Sequence, residues 1–254
     1  MQQAISQVSD RLKAYLAAEI NHDICDLDEM FVPGAVEHYF HVGRSAINVI
    51  ANAMVVSGKT SFESVLDLPC GGGRVTRHLS AFFPDAELFV AELDRRKEAF
   101  VVKTFAATIT NVTMDFSSEP ERRFDLVFVG SLLTHLNAAA FEHAVEWLIQ
   151  AVADDGLLVF TTHGRRHDFV ERVMHRTIDP KKWAVVARDC AQSGFGYVET
   201  EIKSDSTYGV SWSAPSWVMR LVENDSRVRI VNFHEAAWDN HQDVVVLQRR
   251  PLDQ

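Results

Sequence analysis

Two acidic residues and a run of glycines carry the clearest chemistry in this sequence. Asp67-Leu68-Pro69-Cys70-Gly71-Gly72-Gly73 joins a short apolar run to a helical stretch, and Glu92 follows at the end of the next apolar run. Glycines at a strand-to-helix turn let the backbone approach a ligand, and the amides opening the next helix face that ligand with positive partial charge. On its own, Gly71-Gly72-Gly73 also fits a plain tight turn. An acid about 20 residues further on, at a second strand end, is where a ribose diol is held. A phosphate is unwelcome beside the Asp67 carboxylate, and the dinucleotide fingerprint would need a glycine where Thr76 stands. The loop therefore favours a cofactor that is cationic at that end.

A second group of candidates follows the later apolar runs, where an open α/β sheet keeps its ligand crevice. Gly130, Ser131 and His135 come after one run, and His163-Gly164 after the next. His135 also reads as a packing residue. His163 ends its strand on the side expected to face an acceptor, and His163, Asp239 and His241 are the catalytic candidates. Asp239 and His241 belong to the polar turn Trp238-Asp239-Asn240-His241-Gln242-Asp243, which is either an active-site rim or an ordinary solvated turn. His38-Tyr39-Phe40-His41 offers Tyr39, which either closes over the cofactor or packs. The aromatics Phe195, Tyr197, Tyr208, Trp212 and Trp217 suit a small local core with some surface left for an apolar pocket. No metal site is expected: the 11 histidines read as scattered, without a carboxylate at helical ligand spacing.

The elements that must position these groups alternate. Strands are expected over Ser64–Leu68, Glu87–Ala91, Asn111–Met114, Phe124–Val129 and Leu157–Thr162. Helices are expected between them over Arg74–Phe83, Arg95–Ala107 and Ala138–Val152, the last capped by Asn137. That order predicts right-handed βαβ units and a parallel sheet. Residues 1–60 read as a helical N-terminal cap, from Ile5, Val8, Leu12, Leu16 and Ile20 and from Ala46–Val56, with Pro33, Gly34 and Gly43 as breakers between. Residues 164–227 read as an inserted substrate-side cap of helices rather than strands, one opened by Asp179-Pro180 and stopped by Gly194, another running from Ser213-Pro215-Ser216 to Val222. Val228–Phe233 and Val244–Leu247 then pair as a closing antiparallel hairpin, so that 61–163 and 228–254 form the core.

Composition narrows the class of partner. The chain has 254 residues, 47% of them hydrophobic, and a net charge of −10, which makes nucleic acid a poor default substrate. Cys25, Cys70 and Cys190 lie far apart in no paired pattern, which excludes a disulfide framework and suits a reducing compartment. No secretory signal and no apolar run of about 20 residues is visible, so a soluble cytoplasmic protein acting on a small molecule is expected.

Val65 to Val75 resembles motif I of the class I S-adenosylmethionine-dependent methyltransferases, and the resemblance continues through Phe124-Asp125-Leu126-Val127-Phe128-Val129 and Gly156-Leu157-Leu158-Val159-Phe160. It covers residues 61–163 well and the terminal hairpin loosely. The resemblance implies a doubly wound, mostly parallel seven-stranded sheet with an antiparallel final strand, and S-adenosyl-L-methionine as cofactor. It further implies that Asp67, Pro69, Cys70, Gly71 and Gly73 surround the methionine part, that Glu92 with Leu93 holds the ribose, and that Gly130 and Tyr39 border the cofactor. Asp115 would accept from the adenine amino group with Met114 and Phe116 beside the ring, although Asp115 also reads as a turn residue. Asp94 competes with Glu92, which is preferred because it comes first after Phe89-Val90-Ala91. Pro69 departs from the family, which usually has a glycine there; it fixes one φ and removes an amide donor. The expected activity is methyl transfer to oxygen or nitrogen of a small polar acceptor. The alternatives are a dinucleotide or nucleotide-sugar enzyme of related fold, or a non-catalytic cofactor-binding regulator or scaffold.

Overall fold

A computed structural model describes residues 2–174, 178–200 and 209–251. Its centre is a seven-stranded sheet made of β1 (Ser64–Asp67), β2 (Glu87–Val90), β3 (Thr108–Ile109), β4 (Phe124–Val129), β5 (Val152–Thr162), β8 (Val228–Trp238) and β9 (Gln242–Arg249). The spatial order is β3-β2-β1-β4-β5-β9-β8. The pairs among the first five strands are parallel, whereas β9 runs antiparallel to both β5 and β8. Every residue of β1 is buried, as a strand covered on both faces requires; this is why it reads as a continuous apolar run rather than an alternation.

Strand pleating divides the core in two. Leu126, Phe128, Leu157 and Val159 face one layer, which holds α1 (Gln2–Ala17), α2 (Val36–Ser57), α3 (Thr76–Phe82) and α4 (Arg95–Phe105). Val127, Val129, Leu158 and Phe160 face the other, packed by α5 (Ala138–Ala151) and α8 (Pro215–Val222). Asn137 caps α5 by accepting from the Ala140 amide, and Asp179 caps α7 (Pro180–Ser193) by accepting from Lys181 and Lys182. Gly194 ends α7 with a left-handed φ of 87°. Among the described residues no helix is long and apolar enough to cross a membrane, and the three cysteines are free and buried.

The structure corrects the sequence reading at four places. The third strand is Thr108–Ile109, not Asn111–Met114, because the Asn111 amide and side chain bond to Glu121 and the following residues turn around Thr113 and Asp115. Gly43 does not break α2: its bare Cα lets the His78 ring and the Arg74 carbonyl pack against the helix. The segment 164–227 is not wholly helical. Besides α6 (Arg165–Met174), α7 and α8 it contains β6 (Phe195–Glu199) and β7 (Gly209–Ser213), paired as a separate antiparallel sheet. Their aromatic and β-branched residues prefer the extended chain. Of the aromatic cluster, Tyr208 lies outside the described residues. Finally, β8 is longer than expected and runs to Trp238, with a register shift between His234 and Trp238.

The closing hairpin has the orientation that matters for a site. Thr162 at the end of β5 pairs with Asp243, and Trp238 pairs with Gln242. The β8–β9 turn thus sits at the carboxyl ends of the parallel strands, on the same side of the sheet as the glycine loop.

Candidate functional site

The loop after β1 leaves the backbone bare at Gly71. Leu68–Pro69 is a cis peptide, Gly71 and Gly73 take positive φ (53° and 85°), and a Cβ on Gly71 would touch nothing within 4 Å. Gly73 has no such room, since a Cβ there would lie 2.6 Å from the Phe105 ring. Cys70 is buried, its amide donates to Ala91 O, and burial pushes its thiol up. Asp67 is also buried, at 1% exposure, and the Thr76 hydroxyl donates to its Oδ2 at 2.6 Å. Burial raises the Asp67 carboxyl to about 7; the Thr76 bond opposes that rise and the Glu92 charge adds to it. A buried carboxylate with one hydroxyl donor keeps acceptor capacity for a cationic group.

Glu92 lies one residue beyond Ala91, just past β2, and reaches back to the loop. Its Oε2 accepts from the Gly71 amide at 2.9 Å, and Oε1 from the Leu93 and Asp94 amides. Leu93 beside it is exposed. Asp94 is occupied otherwise: it caps α4 through the Arg96 amide and pairs with the Arg96 guanidinium, whose bonds hold its carboxyl down at about 2. Asp115 sits in an exposed turn and accepts from the Ser117 amide and hydroxyl, while Phe116, at φ 56°, packs edge-on against Trp147. Both of those Asp115 bonds use its Oδ1.

Tyr39 does not face the crevice. It is 1% exposed, and its hydroxyl donates to Asp28 Oδ2 at 2.6 Å. Asp28 lies directly over Gly72, where any Cβ would collide with its carboxylate. Buried Arg77 completes the strap by donating to Gly73 O from one side and to Asn21 O and Asp23 O from the other. Residues 21–28 are thereby bound across the loop, and Tyr39 reaches the loop through Asp28 and through Arg77, whose guanidinium donates to the Tyr39 hydroxyl. Nothing in the spacing of Asp28 announced this.

The second half of the crevice is made by β4, β5 and the hairpin turn. Gly130 is bare because the Trp238 ring lies against it, 2.8 Å from a notional Cβ. Trp238 is buried and donates to Val42 O, so it plugs the wall between sheet and α2 rather than forming a rim. Ser131, Thr161 and Gln242 close a hydrogen-bonded triangle across the strand ends: the Ser131 amide donates to Thr161 Oγ1, Thr161 to Gln242 Oε1 and Gln242 to Ser131 Oγ.

The catalytic candidates separate. His163 and His241 come together, ring centroids 5.6 Å apart. Asp239 turns the other way, toward His38 and His41 on α2 (3.6 and 3.7 Å), while its amide donates to Ser45. His167, unsuspected in the sequence, joins the pair: its ring stacks on His163 and its Nδ1 lies 3.0 Å from His241 Nε2. The histidines are therefore not all scattered, and the four-residue step from His163 to His167 was the signal available. His135 and His163 each donate from Nδ1 to a β7 carbonyl, Gly209 and Ser211, which fixes the tautomer and leaves Nε2 able to accept. Burial, reinforced by the neighbouring imidazoles, holds His163 well below the usual histidine range and His167 at about 3. Burial also lowers His135.

Comparison with known proteins agrees with this geometry. A search of curated protein sequences finds no match. Among solved structures, the chain is similar to an S-adenosylmethionine-dependent methyltransferase from Clostridium acetobutylicum ATCC 824, with TM-score 0.56 and 11% identity over 84% of this chain and 92% of that one. A plantazolicin methyltransferase, solved with a pentazolic desmethylPZN analogue and SAH, gives TM-score 0.58 at 11% identity over 98% and 99% of the two chains. Coclaurine N-methyltransferase, solved with N-methylheliamine and SAH, gives 0.51 at 10% identity over 98% and 88%. At these identities the likeness speaks for the fold. The family model described as a methyltransferase domain matches residues 35–225, well over half of the sequence. The chain belongs to the methyltransferase-domain family and is a methyltransferase of the class I fold.

Proposed function

We propose that this enzyme moves the methyl group of S-adenosyl-L-methionine to an oxygen or nitrogen of a small polar acceptor seated between the Ser131–Gln242 triangle and His163. The observation that carries this reading is the pair of acids at adjacent strand ends. Buried Asp67 suits the cofactor's ammonium and Glu92 its ribose diol, with Gly71 offering bare backbone between them. With the ammonium held at Asp67 and the ribose at Glu92, the residues left to border the methyl group would be those at the ends of β4 and β5, Gly130, Ser131 and His163. When bound, S-adenosyl-L-methionine would supply a methyl carbon open to attack by an acceptor lone pair, with the electrons of the broken carbon–sulfur bond left on sulfur as a neutral thioether. Positioning supplies most of the acceleration. The proton that a hydroxyl or ammonium acceptor must lose passes to a neutral imidazole. His163 suits that role because its Nδ1 proton is fixed on Ser211 O and Nε2 accepts.

The segment 164–227 serves as the acceptor-side cap through its β7 carbonyls, which aim His135 and His163. A metabolite-extract screen with methyl-labelled cofactor tests the reading. The expected result is a labelled small molecule whose formation falls about 100-fold in His163→Ala, with cofactor affinity unchanged. Tight cofactor binding with no labelled product from any extract would instead favour a non-catalytic cofactor-binding protein.

A further inference from the structure

The methyl-transfer reading uses only one of the imidazoles gathered at this mouth. His163 follows the last residue of β5, His167 lies in the first turn of α6, and His241 precedes β9. One ligand nitrogen from each falls within 4.8 Å of the others. His163 and His167 are both 5% exposed and His241 is half-buried, so the cluster opens only on one side.

Three imidazoles packed this closely are an awkward way to build a core. Each ring must stay neutral, and each buried nitrogen needs a partner. The protein supplies only part of that. His167 Nδ1 faces His241 Nε2, but His167 Nε2 is buried with no hydrogen-bond partner. No aspartate or glutamate is hydrogen-bonded to either ring nitrogen of His167 or to His163 Nδ1.

We infer that His163, His167 and His241 form a binding site for a divalent transition-metal ion of the zinc class at the acceptor mouth. Neutral imidazole is the form that ligates such an ion. Two nitrogens on a tetrahedral zinc-class ion lie about 3.3 Å apart, from metal–nitrogen bonds of about 2.05 Å. His167 Nδ1 and His241 Nε2 already stand at 3.0 Å; an ion on that pair leaves His167 Nε2 as the ring's N–H, so the spacing and not the orphaned nitrogen carries the inference. Ligating rings on one ion have centroids about 5 Å apart on the same geometry. The His167–His241 and His163–His241 pairs, at 4.9 and 5.6 Å, are near that value. The His163–His167 stack at 3.5 Å must open, which needs one ring to move as a whole, through χ1 of His167 or a shift of the start of α6, because χ2 only turns a ring about its own axis.

The second layer is present where a metal-ligating histidine most often needs it. His163 donates its other ring nitrogen to Ser211 O, orienting the ring from the β6–β7 sheet. Three protein ligands leave a fourth position open, on the side where His241 meets solvent. An acceptor bearing a carboxylate or a paired oxygen function is the substrate class such a position would hold. A metal held on His163 Nε2 and a proton accepted there exclude each other, so the metal-bound form would not use His163 as a base; the inference stands apart from the methyl-transfer reading, because binding is read without turnover.

The test uses the full-length protein, stripped with a chelator and titrated with cobalt(II) alone while visible absorption is recorded, followed by competition with zinc(II). One cobalt per chain with the strong visible bands of a tetrahedral site is expected, displaced by one equivalent of zinc. His241→Gln and His167→Gln should each weaken zinc by at least about tenfold, with circular dichroism confirming the fold. Absence of stoichiometric cobalt binding by the parent protein overturns the inference, as does undiminished binding in either folded variant. If buried His167→Gln fails to fold, half-buried His241→Gln decides alone.

Discussion

Replacing Glu92 and Asp94 separately distinguishes a ligand-holding acid from a structural one standing two residues away. Glu92 accepts three backbone amides, from Gly71, Leu93 and Asp94, at 2.8 to 3.2 Å. In the bound state the same oxygens would take the two ribose hydroxyls. Hydrogen bonds to a charged group are worth about 1.5–3 kcal/mol, so Glu92→Ala should weaken cofactor affinity about 10- to 150-fold. Glu92→Gln keeps one carbonyl acceptor and should fall at the lower end of that range. Asp94 makes its bonds to the Arg96 amide and guanidinium at the start of α4. Asp94→Ala should therefore lower the melting temperature and leave cofactor affinity nearly untouched. Calorimetric titration with S-adenosylhomocysteine reads the affinities, and scanning calorimetry the stabilities. If Asp94→Ala costs more affinity than Glu92→Ala, the register assigned to the end of β2 is wrong.

Two further outcomes follow from the same geometry. Asp67, held at about 7 in the folded protein against an ordinary 3.8, contributes stability below that ordinary value and loses it as pH rises through 7; Asp243, raised to about 6 chiefly by burial, acts in the same direction. Asp67→Asn should flatten the fall in melting temperature between about pH 4 and 7 and abolish cofactor binding, whereas the parent should bind its cationic cofactor more tightly at pH 8 than at pH 6, with proton release seen as a buffer-dependent enthalpy. Gly130→Ala places a methyl 2.8 Å from the Trp238 ring and 2.9 Å from Phe128, an overpacking that should destabilise by about 1–3 kcal/mol in denaturant unfolding; an unchanged midpoint would mean that Trp238 does not seal this wall.

Legibility in the sequence tracked how local each feature is. The glycine loop, Glu92 and the caps at Asn137 and Asp179 are set within a few residues of chain, so residue type and spacing revealed them. The direction of the closing hairpin was legible only as a consequence of the family resemblance, and the register of β5 with β9 bears it out. What the sequence hid depends on long-range convergence. Asp28 reaches Gly72 because Tyr39 and Arg77 fix the strap, and no periodicity marks that meeting. The β6–β7 sheet is missed because Gly194 and Ser213-Pro215-Ser216 read as the end of one helix and the start of the next, and the stretch between them, aromatic but without alternation, carries no strand signal of its own. Asp239 was grouped with His241 by proximity along the turn, but positive φ at both Asp239 and Asn240 sends Asp239 toward α2 and leaves His241 beside His163.

The most direct test of the central claim is a calorimetric titration of the full chain with S-adenosylmethionine, its demethylated product and a nicotinamide dinucleotide, repeated for Asp67→Asn. The account predicts one site per chain for the first two ligands, with micromolar dissociation constants of about −8 kcal/mol, no heat from the dinucleotide, and loss of binding in the variant. Binding of the dinucleotide in place of both methyl-cycle ligands, or an Asp67→Asn protein that binds them undiminished, would contradict it.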